Sequence, residues 1–237
     1  MDKRMCYVPR IFRCWLIAGL LSFAPIGFAQ VLEQKPNLQP LPAFDVHLVG
    51  GTKLIFSTTS WNSGVGPLEL RAGDIDRGGR KQGRKQKVYQ RVYLDDGGSY
   101  DRLAGRMEWH SGHNHFHFNN YALYTLQPMD APGGSQRTGS KTTFCIIDTD
   151  QIDTSQPGFY FGCGSGVQGM SVGWGDTYGY WLSGQELNFT GNPDGIYQLK
   201  IEIDPKSLLV ETNEHDNVSC VLLDIRNLSV NNVSDCP

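Results

Sequence analysis

The chain has 237 residues, a formal charge of −3 at pH 7 and 28 glycines. This length predicts one substantial domain with its own hydrophobic core. The mildly acidic balance argues against a nucleic-acid-binding protein. A basic stretch between Arg77 and Arg91 does not change that view, because no aromatic residue lies among its charges from Arg80 to Lys87. We interpret it as a solvated surface loop.

The first 29 residues predict a secretory signal peptide. A basic segment precedes a short apolar run from Trp15 to Phe23, and Gly27-Phe28-Ala29 is a small-x-small cleavage site. A membrane anchor is the alternative, but the run is short and is followed by Pro25, so it spans a bilayer poorly. We expect residues 30–237 to be the domain that is exported to an extracellular or periplasmic space, free of the membrane after cleavage.

A Pro-rich lead-in from Gln30 to Pro42 is followed by β-type patterns with almost no helical periodicity. Phe44–Val49 and Lys53–Trp61 are predicted strands, and Gly50-Gly51 between them is a hairpin turn signal. Further strands are predicted at Lys87–Leu94, His113–Leu126 and Thr143–Asp148.

The clearest strand lies near the C-terminal end. Tyr197, Leu199, Ile201 and Ile203 alternate with polar residues, so one face of this strand is apolar and the other, which includes Asp204, is polar. We expect Val218–Ile225 to pair with it. The fold class is therefore all-β: a sandwich-like, loop-rich single domain with little helix.

Four of the six histidines lie in the stretch Trp109-His110-Ser111-Gly112-His113-Asn114-His115-Phe116-His117. On an extended strand His113, His115 and His117 point to one face, and Phe116 and Phe118 to the other. Neutral imidazoles at this spacing can bind one borderline or soft metal ion. The alternative is a half-buried strand that is rich in histidine, as a purification tag is, and binds no metal. Phe116 and Phe118 argue against a tag, because they predict a folded strand.

Two later stretches complete a pattern that resembles the lysyl oxidase family, most closely its compact bacterial-type members. Gly139-Ser140-Lys141-Thr142-Thr143-Phe144-Cys145 is similar to the family segment that holds a cofactor lysine. Gln168-Gly169-Met170-Ser171-Val172-Gly173-Trp174-Gly175-Asp176-Thr177-Tyr178 is similar to the segment that holds a cofactor tyrosine. The histidine stretch is similar to the copper-binding segment, and the three occur in the family order.

The resemblance implies copper bound by His113, His115 and His117. It also implies lysyl tyrosylquinone, a cofactor that forms when copper and O2 oxidise the ring of Tyr178 and the amine of Lys141 adds to it. Only a neutral amine is nucleophilic, so Lys141 is expected to be desolvated or near positive charge, either of which lowers its pKa. Taken alone, Lys141 could be an ordinary surface lysine and Tyr178 an ordinary core tyrosine.

The activity implied is oxidation of primary amines, such as the ε-amine of lysine in peptides or proteins, to aldehydes. O2 is the co-substrate, and H2O2 and NH3 are released. Asp176 is two residues from Tyr178 and is our candidate for the base, or else for a partner of a copper histidine. Family members often have a histidine near the position of Leu123. In addition, animal members of the family have a cysteine at the position of Gly112, and the cysteine that forms a disulfide with it corresponds to Cys163. Because Gly112 cannot form that bond, Cys163 needs another partner in this chain, which supports Cys145–Cys163.

Four cysteines follow the predicted signal peptide: Cys145, Cys163, Cys220 and Cys236. An even number in an exported chain favours two disulfides, and three pairings are possible. We prefer Cys145–Cys163 and Cys220–Cys236, because each closes a short loop. The spacing is not that of a zinc site.

The turn Glu211-Thr212-Asn213-Glu214-His215-Asp216-Asn217 is rich in oxygen ligands, which calcium prefers. It resembles a calcium-binding turn of the same family, with Glu211, Asn213, Asp216 and Asn217 as ligands and Asn37 as a further one. A solvated acidic hairpin is an equal alternative.

Two other functions compete with an amine oxidase. One is a secreted copper-binding module that keeps the fold and never builds the quinone. The other is a cupin-like metal dioxygenase, which shares the His-x-His alternation but expects a glutamate soon after it. Residues 118–126 contain no glutamate, which disfavours the cupin-like reading.

Overall fold

The computed structural model describes residues 30–75, 84–164 and 166–236, and every structural statement below concerns these ranges. The predicted signal peptide and residues 77–83 of the basic stretch, which include Arg80 and Lys81, lie outside them. The described chain contains strands and turns and no helix. The first nine strands are β1 (Glu33–Gln34), β2 (Leu38–Pro40), β3 (Phe44–Val49), β4 (Lys53–Asn62), β5 (Leu68–Ile75), β6 (Lys85–Leu94), β7 (Ser99–His110), β8 (His115–Asn119) and β9 (Ala122–Asp130). The other nine are β10 (Arg137–Thr138), β11 (Thr143–Phe144), β12 (Asp150–Gln151), β13 (Val167–Met170), β14 (Trp174–Tyr178), β15 (Glu186–Asn188), β16 (Gly195–Ile203), β17 (Val218–Arg226) and β18 (Ser229–Asp235).

Three antiparallel sheets enclose one core. The first has the order β11-β8-β7-β6-β5-β13, with β1 added to β6. The second has the order β10-β9-β16-β17-β18. The third has the order β12-β14-β4-β15, and β2 and β3 also pair with β4. The all-β prediction is confirmed, and the described residues from Val31 onward form one compact unit. No helix in the described ranges is long and apolar enough to span a bilayer.

Strands with strict alternation form as the sequence predicts. The hairpin of β3 and β4 turns at Gly50 and Gly51, both with positive φ. In β16 the apolar set from Tyr197 to Ile203 is buried, and β17 pairs with it along its length. Asp204 differs from the prediction: it lies just past the end of β16 and is buried, and its carboxylate accepts hydrogen bonds from the amides of Leu208 and Leu209.

The continuous strand predicted from His113 to Leu126 is wrong. β8 begins only at His115, because residues 111–114 form the turn of the β7–β8 hairpin, where Asn114 has φ 61°. β8 then ends at Asn119, and the chain passes at Asn120, with φ 60°, into β9 of the second sheet. A left-handed residue ends a pleated ladder, and the alternation in the sequence does not reveal it.

The strand predicted at Thr143–Asp148 is also shorter than expected. Only Thr143 and Phe144 pair with β8. From Cys145 onward this segment turns away from that ladder, and the amide of Ile146 bonds the side chain of Gln168 instead. The change of direction places Cys145 within a disulfide to Cys163, and the second disulfide joins Cys220 to Cys236. Both predicted pairings are confirmed.

Candidate metal and cofactor site

The candidate site lies at the turn end of the β7–β8 hairpin. His110 ends β7 and pairs with His115 at the start of β8, and the intervening turn is closed by the amide of Asn114 bonding the carbonyl of His110 at 2.9 Å. Phe116 and Phe118 are buried on the core face of β8, as predicted. His115 and His117 therefore lie on the opposite face of the strand.

The three predicted histidine ligands converge although His113 lies in the turn. His113 Nδ1 is 3.2 Å from His117 Nε2, and His115 Nε2 is 3.0 Å from the same atom. Two ring nitrogens bound at about 2.0–2.1 Å to one ion lie about 2.8–3.4 Å apart for angles between square-planar and tetrahedral. The distances from His117 Nε2 to His113 and to His115 are therefore those of ligands that share one metal ion.

Burial keeps these imidazoles neutral, which is the form that binds a metal. Desolvation lowers the pKa of His117 to about 3, and nearby His110 adds to the effect. The pKa values of His113 and His115 are lowered as well, first by desolvation and then by neighbouring histidines. At neutral pH the cluster can take up a cation without first losing protons.

His110 is a member of this cluster that the sequence argument did not single out. Its ring stacks on that of His117, with centroids 4.7 Å apart and planes 14° apart. Nitrogens of His110, His113 and His117 lie within 4.8 Å of one another. His110 belongs to the same sequence motif as the other three histidines, so the sequence could have indicated it. Its contact with His117 could not be predicted, because it depends on the hairpin that places the end of β7 beside β8.

Lys141 and Tyr178 come together from two separate elements. Lys141 lies in the loop between β10 and β11, and Tyr178 is the last residue of β14. Lys141 Nζ lies 4.5 Å from the centroid of the Tyr178 ring and 4.8 Å from that of Phe144. The Phe144 and Tyr178 rings meet edge to face at 4.8 Å. The amine thus lies over the ring to which the resemblance predicts that it adds.

The surroundings of this pair alter the acidity of both groups. Burial lowers the pKa of Lys141 to about 8, although the nearby carboxyl of Asp176 opposes the shift. Burial also raises the pKa of Tyr178, and its hydroxyl donates to the carbonyl of Cys145 at 2.6 Å. About a tenth of Lys141 is therefore neutral at pH 7, a far larger fraction than for an exposed lysine.

The cleft is defined here as the surface formed by His110, His113, His117, Ser140, Lys141, Thr143, Ser183 and Gly184. Behind it lies a small internal cavity, whose lining includes Tyr178 and Asp176 together with Tyr121 and Tyr124. Asp176 is buried, burial raises its pKa well above the usual range, and its Oδ2 has no hydrogen-bond partner among the described residues. The structure gives no hydrogen bond between Asp176 and a histidine of the cleft.

A second group of polar residues surrounds Glu211, far along the chain from the histidines. We define the Glu211 cluster as Asn37, Asp204, Glu211, Glu214, Asp216 and Asn217. Glu211 accepts hydrogen bonds from Asn217 Nδ2 at 2.7 Å and from the amide of Leu38 at 2.5 Å. Asn37 donates to Asp216 at 2.9 Å.

Oxygen atoms in the Glu211 cluster remain without partners. Asp216 Oδ1 and Asn217 Oδ1 are buried and accept no hydrogen bond from the described residues. Carboxylate oxygens of Asp204, Glu211 and Glu214 lie within 4.8 Å of one another, and the sequence argument missed Asp204 and Glu214 as neighbours. Asn213 is exposed, and its side-chain oxygen accepts from the amide of His215 at 3.1 Å. The oxygens present are those that suit a hard cation.

The fold and the site define an all-β protein with a cluster of histidines beside a lysine–tyrosine pair. A sequence model of the family described as "Lysyl oxidase" matches residues 101–236, more than half of the chain. The chain belongs to the lysyl oxidase family.

Named relatives agree with this assignment. Human protein-lysine 6-oxidase is 36% identical over 139 residues, which cover 54% of this chain and 31% of the human protein. The pig protein-lysine 6-oxidase is 34% identical over 131 residues, 51% of this chain and 49% of that protein. Human lysyl oxidase homolog 1 is 34% identical over 127 residues, 51% of this chain and 21% of that protein. The matched region thus spans half or less of the length of these relatives.

Proposed function

We propose that this protein is a copper- and quinone-dependent amine oxidase. It converts a primary amine, such as the ε-amine of lysine in a peptide or protein, to an aldehyde. The amine, one O2 and one water yield the aldehyde, one NH3 and one H2O2, so the substrate carbon loses the two electrons that O2 gains. The observation that carries the proposal is Lys141 Nζ at 4.5 Å from the centre of the Tyr178 ring, beside the histidine cluster.

Within this proposal, copper would be held by His113, His115 and His117. Ring nitrogens of His113 and His115 lie 3.2 and 3.0 Å from His117 Nε2. Bound copper supplies, with O2, the oxidation of the tyrosine ring, and the resulting lysyl tyrosylquinone is the electron acceptor for the amine. The protein residues supply position and proton transfer. The hydrogen bond to Cys145 fixes the Tyr178 ring, and the low pKa of Lys141, about 8, leaves it nucleophilic at neutral pH.

Asp176 is proposed as the group that removes the proton next to the substrate nitrogen. Its carboxyl shares a cavity with Tyr178 and has a free oxygen atom. Burial raises the pKa of this carboxyl, and a carboxylate with a raised pKa is a stronger base than an ordinary one. Leu123, at the position where relatives often carry a histidine, cannot take this role.

Export and calcium binding belong to the same proposal. Residues 1–29 act as a signal peptide, and residues 30–237 are the secreted catalytic domain; the two disulfides suit an oxidising compartment. Glu211, Asn213, Asp216 and Asn217 are the proposed calcium ligands. The unpartnered oxygens of Asp216 and Asn217 support this, and Asp204 and Glu214 lie close enough to take part.

The test compares the copper-loaded wild type with two single variants, Lys141→Arg and Tyr178→Phe. Arginine keeps the charge, but its guanidinium stays protonated and does not add to a ring. Both variants should bind one copper yet form no Lys141–Tyr178 cross-link in peptide mass spectrometry. They should also lack the phenylhydrazine adduct and the peroxide release that the wild type shows. Lys206→Arg and Tyr100→Phe, both exposed, are the matched controls.

Two outcomes would contradict the proposal. Undiminished amine oxidation by Lys141→Arg would exclude this cofactor. A wild type that binds copper but never cross-links Lys141 to Tyr178 would leave the non-catalytic copper-binding module as the function.

A further inference from the structure

An aromatic side chain is exposed beside the cleft. Trp181 is 72% exposed and Leu182 is 37% exposed, and both lie in the loop that follows Tyr178. Large apolar side chains at such exposure gain little for folding. Tryptophan is also among the residues most enriched at the energetic centres of binding surfaces.

The Trp181 ring is held in place although it is exposed. It lies across Gly179, where a Cβ would come within 2.4 Å of the ring, and it meets Tyr180 edge to face at 5.1 Å. Tyr180 in turn packs against His47 of β3 at 5.2 Å. Two turns close the loop, from Leu182 N to Gly179 O at 2.9 Å and from Gln185 N to Leu182 O at 3.1 Å. A ring fixed before binding loses little conformational freedom when a partner covers it.

This loop is continuous with the cleft. The carbonyl of Ser183 accepts a hydrogen bond from Lys141 Nζ at 3.2 Å, and Ser183 and Gly184 line the cleft. Leu182 and Trp181 are the next residues along the loop. A chain that places a side chain over Lys141 therefore passes beside these two apolar residues.

The charges of the cleft do not favour a cationic substrate. Its described lining residues include three histidines and a lysine and no carboxylate, and Asp176 is buried behind it. A substrate ammonium group thus finds no ion-pair partner at the entrance. The free energy that holds a lysine-bearing chain must come from contacts beside the lysine.

We propose that Trp181 and Leu182 form a docking surface for a peptide substrate in which aromatic or aliphatic residues flank the reactive lysine. This inference rests on the proposed amine oxidase function and narrows its substrate class. The surface binds the flanking side chains, and the cleft receives the lysine side chain.

The experiment compares two synthetic peptides, acetyl-Gly-Phe-Lys-Phe-Gly-amide and acetyl-Gly-Ser-Lys-Ser-Gly-amide, with n-butylamine. The wild type should prefer the Phe-flanked peptide in kcat/KM by about tenfold, a typical effect of one central aromatic contact. Trp181→Ala should reduce this preference to about one and change kcat/KM for n-butylamine less than twofold. Trp181→Phe should keep part of the preference, and Phe159→Ala, with a ring 71% exposed on another loop, should keep all of it.

Three results would overturn the docking surface. The preference could survive in Trp181→Ala, or n-butylamine oxidation could fall as much as peptide oxidation, which would assign Trp181 to the cofactor environment. Sedimentation velocity could show self-association that Trp181→Ala abolishes, which would assign the surface to contact between copies.

If the wild type oxidises no amine, the proposed function fails by itself. Calorimetry with the Phe-flanked peptide then decides: a tenfold weaker Kd in Trp181→Ala supports the surface, and an unchanged Kd refutes it.

Discussion

The cleft and the Glu211 cluster each contain a buried titratable side chain, His117 in the first and Glu211 in the second, yet burial prepares them in opposite ways. In the cleft, desolvation lowers the pKa of His117 to about 3, so the metal-binding form is already present at neutral pH. In the Glu211 cluster, desolvation raises the pKa of Glu211 to about 8, so its carboxylate must lose a proton before it can bind a cation. Removing water disfavours whichever form is charged, and the charged form is the wrong one for histidine ligands and the right one for carboxylate ligands.

The largest effect is expected from removing a histidine. His115→Ala deletes a ligand atom that lies 3.0 Å from His117 Nε2, so we expect copper affinity to fall more than about 100-fold, beyond the effect of removing an outer-shell partner. Metal analysis after dialysis measures it. Calcium-dependent stability should be unchanged, because the Glu211 cluster is separate, and His215→Ala is the control histidine. Full copper content in His115→Ala would show that the site is elsewhere.

The next effect concerns the loop that holds Lys141. A Cβ on Gly184 would meet Lys141 Cδ at 2.4 Å and Cβ at 2.7 Å, so Gly184→Ala should displace the amine from the Tyr178 ring. We expect at least about a tenfold slower Lys141–Tyr178 cross-link, measured by mass spectrometry after copper addition, since small misplacements slow reactions strongly. Copper content should be kept.

Gly97→Ala is the matched control for Gly184→Ala. Gly97 has φ 86° against 88° for Gly184, and nothing lies within 4 Å of its added Cβ. It therefore carries the same backbone strain without the contact to Lys141. Equal cross-linking rates in the two variants would mean that the contact does not matter.

The two disulfides offer a smaller and more selective comparison. They span similar separations, 18 and 16 residues, so replacing either pair by serine should cost about 2–4 kcal/mol, or roughly 5–15 °C in Tm. Of the two, Cys145–Cys163 contacts the proposed copper and cofactor residues: a ring nitrogen of His115 lies within 4.8 Å of its sulfur atoms, and Tyr178 donates to the carbonyl of Cys145. Cys145→Ser with Cys163→Ser should therefore also weaken copper binding and slow the cross-link. An equal loss of copper in the Cys220–Cys236 variant would contradict this division.

The last comparison concerns a pH dependence set by the Glu211 cluster. The pKa of Glu211 is raised from 4.5 to about 8 by burial, so the native state holds a proton there that the unfolded state releases between these values. Stability of the calcium-free protein should therefore be greatest below about pH 4.5 as far as this group is concerned, and fall as the pH rises toward 8. Asp204, whose pKa burial raises to about 6, adds in the same direction.

Calcium should remove this fall in stability. Binding to the charged carboxylate releases the proton, so stabilisation by calcium should increase from pH 5 to pH 8, by a few degrees in Tm. Glu211→Gln should abolish the fall in stability between about pH 6 and pH 8 and the calcium effect, as measured by thermal unfolding with and without chelator, while the contribution of Asp204 at lower pH remains. A calcium effect independent of pH, or one kept in Glu211→Gln, would place the ion away from Glu211.

The all-β class, the hairpin of β3 and β4, the pairing of β16 with β17 and the disulfide pairs followed from the sequence alone. Strict alternation from Tyr197 to Ile203 leaves one buried face whatever the fold, and the loops closed by the cysteines are short. The histidine spacing and the family resemblance likewise named His113, His117 and Lys141 of the cleft. These are local properties, set by the period of a strand and by short separations along the chain.

Only the tertiary structure decided how the sites are built. The turn at Asn114 brings His113 back over β8, and the exit at Asn120 sends the next strand into a different sheet. Lys141 meets Tyr178 because β11 and β14 belong to sheets that face a common core, and Asp204 joins Glu211 because the chain turns inward after β16. Contacts between distant segments depend on where each ladder stops, and a stop at a single left-handed residue leaves little trace in the hydrophobic pattern.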